Sequence, residues 1–573
     1  MASRRQRHQP IHDIGCYTYP PTVLDDELYG VTDETSVDVP SSLNLEVARD
    51  NIFYLRPYID SHLRDFSTVA SSSSIPSLRL EANQTTYTNI TDPSSSNNLS
   101  HLTLDHQVEA HQNTLDFGDK SWKCNHCNAL FWYAERLVRS GKKNPSFTSC
   151  CANGKIKLPS APSTPKFLDD LLNPDNGSLS TKFRNNIRAY NSMFAFTSMG
   201  AHIDNTVNSQ PGPYIFKING QCHHLMGSLL PIDGESPRFA QLYIYDTDNE
   251  ISNRMHPFNA DGCQSSLDED IVKKLIVMLD SSNELVKLFR QVRHRLNDDG
   301  FPNFKLRLIG KRNGESTQYN DPTSDDVSGL VVGDIGESQT DRDIIVESYC
   351  QNLHRISKLH PKFMSLQYPL LFPYEHYAPS KRQKVTMRGY YAYIIQERFG
   401  DNSTLTKGGR LYQQFLVDAF MNVEQERLDF IRSNQANLRI ESFQGIHEAV
   451  LRGDVHGSSA GKIILPSSLT GSPRYMINNY HDAMAICRHY GNPDLFITFT
   501  CNINWPEIQR EIKKQRNYKA EDKPDIIARV FRYKLNDMIS FIKSGKPFGK
   551  TIADVCAIEF QKRGLSSNIT LCY

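Results

Sequence analysis

Four cysteines offer the strongest chemistry in this chain. Cys124-Asn-His-Cys127 forms a two-thiol knuckle, and Cys150-Cys151 follows downstream. A tight knuckle with distant thiolates suits a tetrahedral zinc ion, which takes sulfur and nitrogen ligands. The spacing departs from a pair of C-x2-C turns. Either both adjacent thiols, Cys150 and Cys151, reach one ion, or His126 or another residue substitutes. The alternative is two buried thiols beside a coincidental C-x2-C. No nearby residue offers an obvious general base, so the expected zinc, on Cys124, Cys127, Cys150 and Cys151, is structural and not catalytic.

Three weaker constellations accompany it. His223-His224 falls on an expected strand, where neighbouring side chains point to opposite faces, so the pair cannot chelate one ion. Gly457-Ser-Ser-Ala-Gly461-Lys462 resembles a phosphate loop. It has only three residues between its glycines, Ile463 where a Ser or Thr would meet magnesium, and no strand-then-helix context. Arg510, Lys513, Lys514, Arg516 and Lys519, with Lys543, Lys546, Lys550, Lys562 and Arg563 further on, interleave with Trp505, Tyr518, Phe531 and Tyr533. That pattern could track a nucleic-acid backbone and stack bases, or could equally be a solvated helix face.

The elements that must position these groups follow from periodicity. Residues 1–118 are rich in Ser, Thr and Asn with few apolar anchors, a composition expected to stay disordered. The segment expected to bind zinc covers 119–160, in the sense of the cysteine reading above. A mixed α/β region spans 180–310. In it, Asn219-Gly220 between apolar runs predicts a hairpin turn, and AQLYIYD (240–246) alternates like a strand. Capping-box patterns at Ser266/Glu269 and Ser281/Glu284 predict two helices, with Ile271, Leu275 and Met278, then Leu285, Phe289 and Val292, as their inner faces. KLRLIG (305–310) predicts a strand and 311–345 a linker. From 346 to 573 the pattern predicts a helical stretch over 384–435, a strand at 493–500, and a short helix capped by Asn504 with Glu507. A helix with a Phe531, Leu535, Met538, Ile542 stripe stopped by Gly545 and Pro547 follows, then a strand over 554–560. The fold class is therefore α+β.

Composition sets the outer bounds. Lys+Arg and Asp+Glu both number 64, so a globally basic nucleic-acid binder is not indicated. Hydrophobic residues make up 39%, low for one compact globule, which agrees with a disordered portion. No run is apolar enough to span a membrane. The basic start MASRRQRHQP lacks the apolar stretch of a secretory signal. A reducing compartment is expected for the twelve cysteines, and Asn83, Asn89 and Asn98 should be unglycosylated. Arg4, Arg5 and Arg7 are few for a nuclear signal, although the nucleus is the expected compartment.

The order of motifs adds a resemblance. CNHCNALFWYAERL…FTSCCANGKIKLP, FRNNIRAYNSMFAFTSMGA and GPYIFKINGQCHHLMGSLLP resemble the N-terminal half of plant Helitron transposon proteins. The likeness continues through HPKFMSLQYPLLFPY, KIILPSSLTGSPRYM, YHDAMAICRHYGNPDLFITFTCNINWPEI and IEFQKRGL, from Lys120 to Leu565, and the part from about 388 resembles the Helitron helicase-like domain. The resemblance implies a rolling-circle transposase of the Rep type, an HUH nuclease followed by an ATP-dependent DNA helicase. In such a nuclease a His-hydrophobic-His pair on one strand face holds Mg2+ or Mn2+ against the scissile phosphate, and a downstream tyrosine attacks and becomes covalently linked to DNA.

Here the expected Pro-His-x-His positions read Ser566, Ser567, Asn568 and Ile569. The resemblance therefore implies a fragment without the histidine pair, the nucleophilic tyrosine motif or the ATP site, a divergence that reads as truncation, frameshift or a mispredicted exon. Tyr573 lies too near to be that nucleophile. Three readings stand side by side. One is a Helitron transposase that nicks single-stranded DNA. The second is a non-catalytic protein that binds single-stranded DNA or an intact transposase, with no membrane partner. The third is a relic whose strand 554–560 lacks its sheet neighbours and exposes an edge.

Overall fold

The computed structural model describes residues 116–435 and 465–573, apart from internal segments, the longer of which are 209–213, 260–266, 300–304, 309–328, 332–343, 348–353, 375–384 and 561–565. Nearly all of the expected disordered region, with Asn83, Asn89 and Asn98, lies outside the described residues, as does the Gly457–Lys462 loop. The last residues of that region, from Asp116, are anchored: the Phe117 amide donates to Glu507 at 2.9 Å.

Helices and antiparallel strands are mixed along the chain. Helices α1 (Lys166–Leu172), α2 (Gly177–Asn185), α3 (Ile187–Phe194), α4 (Glu250–Asn259), α5 (Glu269–Ser282), α6 (Glu284–Asp299), α7 (Phe363–Gln367), α8 (Met387–Ile394) and α9 (Gly409–Ser433) surround the largest core. The two stripes predicted by a 3.6-residue period are buried: Ile271, Leu275 and Met278 on α5, and Leu285, Phe289 and Val292 on α6. Their caps differ from expectation. Asp268 accepts from the Asp270 and Ile271 amides, and Ser266 lies outside the described residues. Ser281 lies inside α5 and donates to the Met278 carbonyl, while Asn283 accepts from the Val286 amide at 3.1 Å. Asp and Asn do this as well as Ser, and a periodic pattern cannot choose between adjacent caps.

Two strand expectations in this region fail. β5 (Ile218–Asn219) pairs with β4 (His202–Ile203), whereas β6 (His224–Met226) joins β3 (Ser198–Met199) and β10 (His354–Arg355), so the two sides of Asn219-Gly220 enter different sheets and make no hairpin. AQLYIYD is a single-turn helix over Phe239–Tyr243. Gln241 holds it, accepting from the Arg238 amide and donating to the Leu230 carbonyl. Ala240, Leu242, Tyr243 and Ile244 are all buried, a run of interior positions that alternation misreads. The predicted strand at 305 forms as β7 (Lys305–Leu308), between β8 (Gly329–Val331) and β9 (Ile344–Glu347), so strand β8 lies within the segment expected to be a linker.

The C-terminal part contains α10 (Pro473–Tyr490), β11 (Leu495–Thr500), α11 (Pro506–Lys513), α12 (Pro524–Lys543), β12 (Asp554–Phe560) and β13 (Ser566–Cys572). Pro506 opens α11 after Trp505, so Asn504 does not cap it. The sheet order is β11-β13-β12, all antiparallel. The strand at 554–560 therefore has a neighbour, and residues 566–572 supply the middle strand instead of a polar tail. Their alternation explains this. Asn568 and Thr570 turn inward with Cys572 and satisfy their own polar atoms: Thr570 donates to Asn568 at 2.6 Å, and Asn568 donates to the Ala557 carbonyl at 3.0 Å. Phe499, Cys556 and Ile558 on the same face pack against Phe531, Leu535 and Ile539 of α12.

One polar knot sits inside the large core. His224 is wholly buried, with Nε2 2.7 Å from Asp418 Oδ2 and Nδ1 3.2 Å from the Phe363 carbonyl oxygen. Both ring nitrogens thus lie within hydrogen-bond reach of oxygen atoms. Asp418 also accepts from Tyr368, Asn422 and Cys222. Burial raises its carboxyl, but His224, Tyr368 and Cys222 outweigh burial and hold it below the ordinary aspartate value. Asp418→Asn should cost about 1–3 kcal/mol in urea unfolding, because it removes the shared acceptor of a buried hydrogen-bonded network. Because the folded carboxyl is depressed, its contribution is present above the ordinary aspartate value and fades as the pH falls through the folded value. The gap between wild type and variant should narrow on acidification, and an equal urea midpoint at neutral pH would discard this account.

Candidate metal centre

The knuckle is built by backbone geometry. The Cys124 amide donates to the Ala129 carbonyl at 2.9 Å and the Asn128 amide to the Cys124 carbonyl at 3.0 Å, with Asn128 in the left-handed region at φ 58°. This reverses the chain so that β1 (Trp122–Lys123) and β2 (Leu130–Phe131) pair. On the far side Ala152, Asn153 and Gly154 are all left-handed, at φ 47°, 57° and 80°. A Cβ on Gly154 would sit 2.9 Å from the His126 ring, so only glycine fits there. This turn folds the chain back beneath Cys151, whose sulfur accepts from the Gly154 amide at 3.2 Å.

The four sulfurs lie within 4.8 Å of one another. Cys124 and Cys151 are 3.7 Å apart, and the adjacent Cys150 and Cys151 are 3.8 Å apart. A tetrahedron with Zn–S bonds of about 2.3 Å has edges of about 3.8 Å. The cluster could therefore hold a metal such as zinc. His126 lies outside it, exposed against Gly154.

Electrostatics point the same way. The Cys150 thiol donates to Cys127 and holds it down to about 5, and the same contact drives Cys150 far upward. Burial raises Cys151 to about 11. Crowding thus sets the thiols against one another's ionisation. A bound dication would offset that repulsion and let the remaining protons leave.

The cysteine segment is seated on the C-terminal helices. The Leu130 amide donates to the Glu397 carbonyl at 2.9 Å, and the Phe399 amide to the Asn128 carbonyl at 3.0 Å. Trp132, 2% exposed, packs with Ile508, Ile512, Ile526 and Val530. Glu135 accepts from Arg529 at 2.8 and 2.7 Å. Lys120, its side chain fully buried, lies 2.5 Å from Glu397 and 3.2 Å from Glu511. Burial lowers Lys120, but the two glutamates outweigh it and hold the ammonium above the usual lysine value. None of these ion pairs carries a short-range motif, although an isolated Lys or Arg amid apolar neighbours is a hint.

The other sequence-derived candidates fare differently. His224 is the core residue described above, and His223 does not join it at one site. The basic–aromatic pattern is largely used up in folding. Arg510 pairs with Asp116 and Asp119, and Lys514 with Glu511. Trp505 stacks on Phe499, Phe531 is buried, and Tyr518 lies under Arg184 and Lys523. Arg516, Lys562 and Arg563 lie outside the described residues. Lys513 and Lys519 stay at the surface, as do Lys546, Phe548 and Lys550 beyond α12, beside Lys543, which pairs with Asp554 at 3.1 Å.

Register places Ser567 opposite Thr500 and Glu559, and Ile569 opposite Thr498 and Ala557. These rows face away from α12, on the side where Phe496 is 64% exposed. The Ser567 hydroxyl meets Thr500 Oγ1 at 3.2 Å, and Ile569 offers no donor atom. Among the described residues, the four cysteines are the only His, Cys, Asp or Glu cluster with metal-binding spacing.

Residues 390–566 match the family model described as the Helitron helicase-like domain at N-terminus. The match supports a Helitron-type protein and takes in α9 to β12. No curated protein matches the chain.

Metal analysis of the purified chain should find a single tightly held ion, with cobalt substitution giving intense thiolate-to-metal absorption. Cys151→Ser should remove both. A folded wild-type chain free of metal, with no cobalt band, would refute the four-thiolate centre.

Proposed function

We propose that this chain is a Helitron-type protein that carries structural zinc at Cys124, Cys127, Cys150 and Cys151 and engages single-stranded DNA without nicking it. The observation that carries the reading is the pair Ser567 and Ile569 on the face of β13 turned away from α12, in the middle strand of the sheet. The resemblance would place two metal-binding histidines there. A divalent ion polarising a phosphate needs such ligands. A serine hydroxyl already engaged by Thr500 and an isoleucine do not supply them.

DNA contact is the part of the family role that these substitutions leave open. The outward face carries exposed Phe496 and Thr498, and the loop after α12 exposes Lys546, Phe548 and Lys550. Aromatic surface with neighbouring ammonium groups is the combination that stacks bases and neutralises phosphates. Nuclear localisation and possible pairing with an intact transposase belong to the same reading. No helix among the described residues is long and apolar enough to cross a membrane.

Fluorescence anisotropy with a labelled single-stranded oligonucleotide tests the binding. Affinity should fall linearly on a log–log salt plot, and Lys546→Glu with Lys550→Glu should lower the slope by about 1 or more. No binding at low salt would support the relic instead. The same oligonucleotide should stay intact with Mg2+ or Mn2+, and cleavage by the purified wild type would overturn the non-nicking assignment.

A further inference from the structure

We infer that the metal centre acts as an assembly latch for the C-terminal helices and sheet, so that a soft divalent cation at four thiolates controls whether α11 and α12 are packed. This inference rests on the metal reading above. It assigns the centre a conformational role distinct from any contact with DNA.

The cysteine segment has little else to hold it together. Its own buried cluster consists of Cys124, Ala129, Phe131, Phe147, Cys150 and Cys151. Three of those six are the proposed ligands, and the Phe131–Phe147 stack at 4.5 Å is the main apolar contact besides them. A segment below about 40 residues with so small a core depends on a metal or a partner surface for its fold. Without the ion, four sulfurs crowd within 4.8 Å, and the left-handed run Ala152–Gly154 is held by turn hydrogen bonds such as Gly154 to the Cys151 sulfur.

What the segment delivers to the rest of the chain follows Cys127 directly. Ala129 to Trp132 continue from the knuckle. The Ala129 carbonyl holds the knuckle turn, Leu130 meets Glu397 and Arg529, and Trp132 enters the core with Ile508, Ile512, Ile526 and Val530. Three residues on, Glu135 grips Arg529 with both oxygens. Upstream, Lys120 compensates Glu397 and Glu511. These groups are inside, so withdrawing the segment would leave Glu511 without Lys120, and Arg529 without Glu135. Each would be a buried charge that has lost a partner, the costliest kind of single loss in an ion pair. α12 is also the platform for the sheet, through Phe531, Leu535 and Ile539. The coupling therefore runs from the thiolates through 129–135 to α11 and α12, and from there to β11, β12 and β13.

Coupling is reciprocal, so it can be read from either end. The first measurement is amide hydrogen exchange on the full chain, zinc-loaded and after treatment with a chelator. Exchange across 526–542 should accelerate about tenfold or more on metal removal, within the range of ordinary coupling free energies. Zinc should restore it, while 271–292 in the main core stays unchanged. Exchange that accelerates only across 120–157 would overturn the inference while leaving the metal centre intact. The second measurement uses the loaded protein and needs no stripped form. Glu135→Gln touches no ligand, yet should weaken metal affinity about tenfold in competition with a chromogenic chelator. Unchanged affinity with a full complement of metal would equally overturn the latch. A wild type that binds no metal at all would instead refute the centre on which it rests.

Discussion

A buried guanidinium organises this molecule. Arg529 lies among Phe131 and Trp132, 5.5 and 5.0 Å from their ring centres, and its carboxylate partner Glu135 sits 394 residues earlier in the chain. Burial lowers the guanidinium, but Glu135 outweighs it and holds Arg529 above its ordinary value. Removing its carboxylate partner would cost about 3–5 kcal/mol, a large share of one domain's margin of stability. Folding of the two segments is therefore coupled. Lys120 with Glu397 and Glu511, and Lys534 with Glu507 at 2.9 Å, repeat the constraint at the same junction. The helical region between them in sequence is tied to the junction as well. Arg184 pairs with Asp522, Arg410 meets Glu521 at 2.7 Å, and the Tyr214 amide donates to the same glutamate.

This explains which parts of the structure could be read from the sequence. Stripes such as Ile271, Leu275, Met278 or Phe531, Leu535, Ile542 are legible because helical period and burial are both local facts. Short stretches are not. Asn219-Gly220 has the residues of a hairpin turn, yet pairing is decided by partners as distant as His354, which bonds β6 from more than a hundred residues away. Asp418 was invisible as a partner for His224, although an aspartate in line with Leu411 and Phe415 on an apolar helix face is a signal of a buried acceptor. The basic–aromatic pattern at 505–550 is ambiguous for the same reason. Charge and aromaticity are what an ion-paired interior and a nucleic-acid surface share, and only burial separates them.

The cysteine centre was legible in its residues but not in its geometry. Spacing alone leaves open whether adjacent thiols can serve one ion. The answer lies in three consecutive left-handed residues, one of them an alanine, which no propensity scale would assign to that conformation. The 3.8 Å between the Cys150 and Cys151 sulfurs matches the edge that a zinc–thiolate tetrahedron would have, so the geometry lets both adjacent thiols reach one ion.

The middle strand of the C-terminal sheet separates fold from chemistry. Its inward residues, Asn568, Thr570 and Cys572, decide whether it can lie against α12, and they do so by meeting each other's hydrogen-bonding needs. Its outward residues, Ser567 and Ile569, add little to that core, because side chains two apart on a strand share one face and neighbours do not. The packing of the sheet on α12 accordingly rests on the inward residues and carries no evidence about the chemistry at 567 and 569. The reaction depends on two side chains, and the platform depends on their neighbours. A strand of this kind can lose its ligands and keep its place in the sheet, which is why the functional argument for this chain turns on residue identity at two positions and not on the shape that presents them.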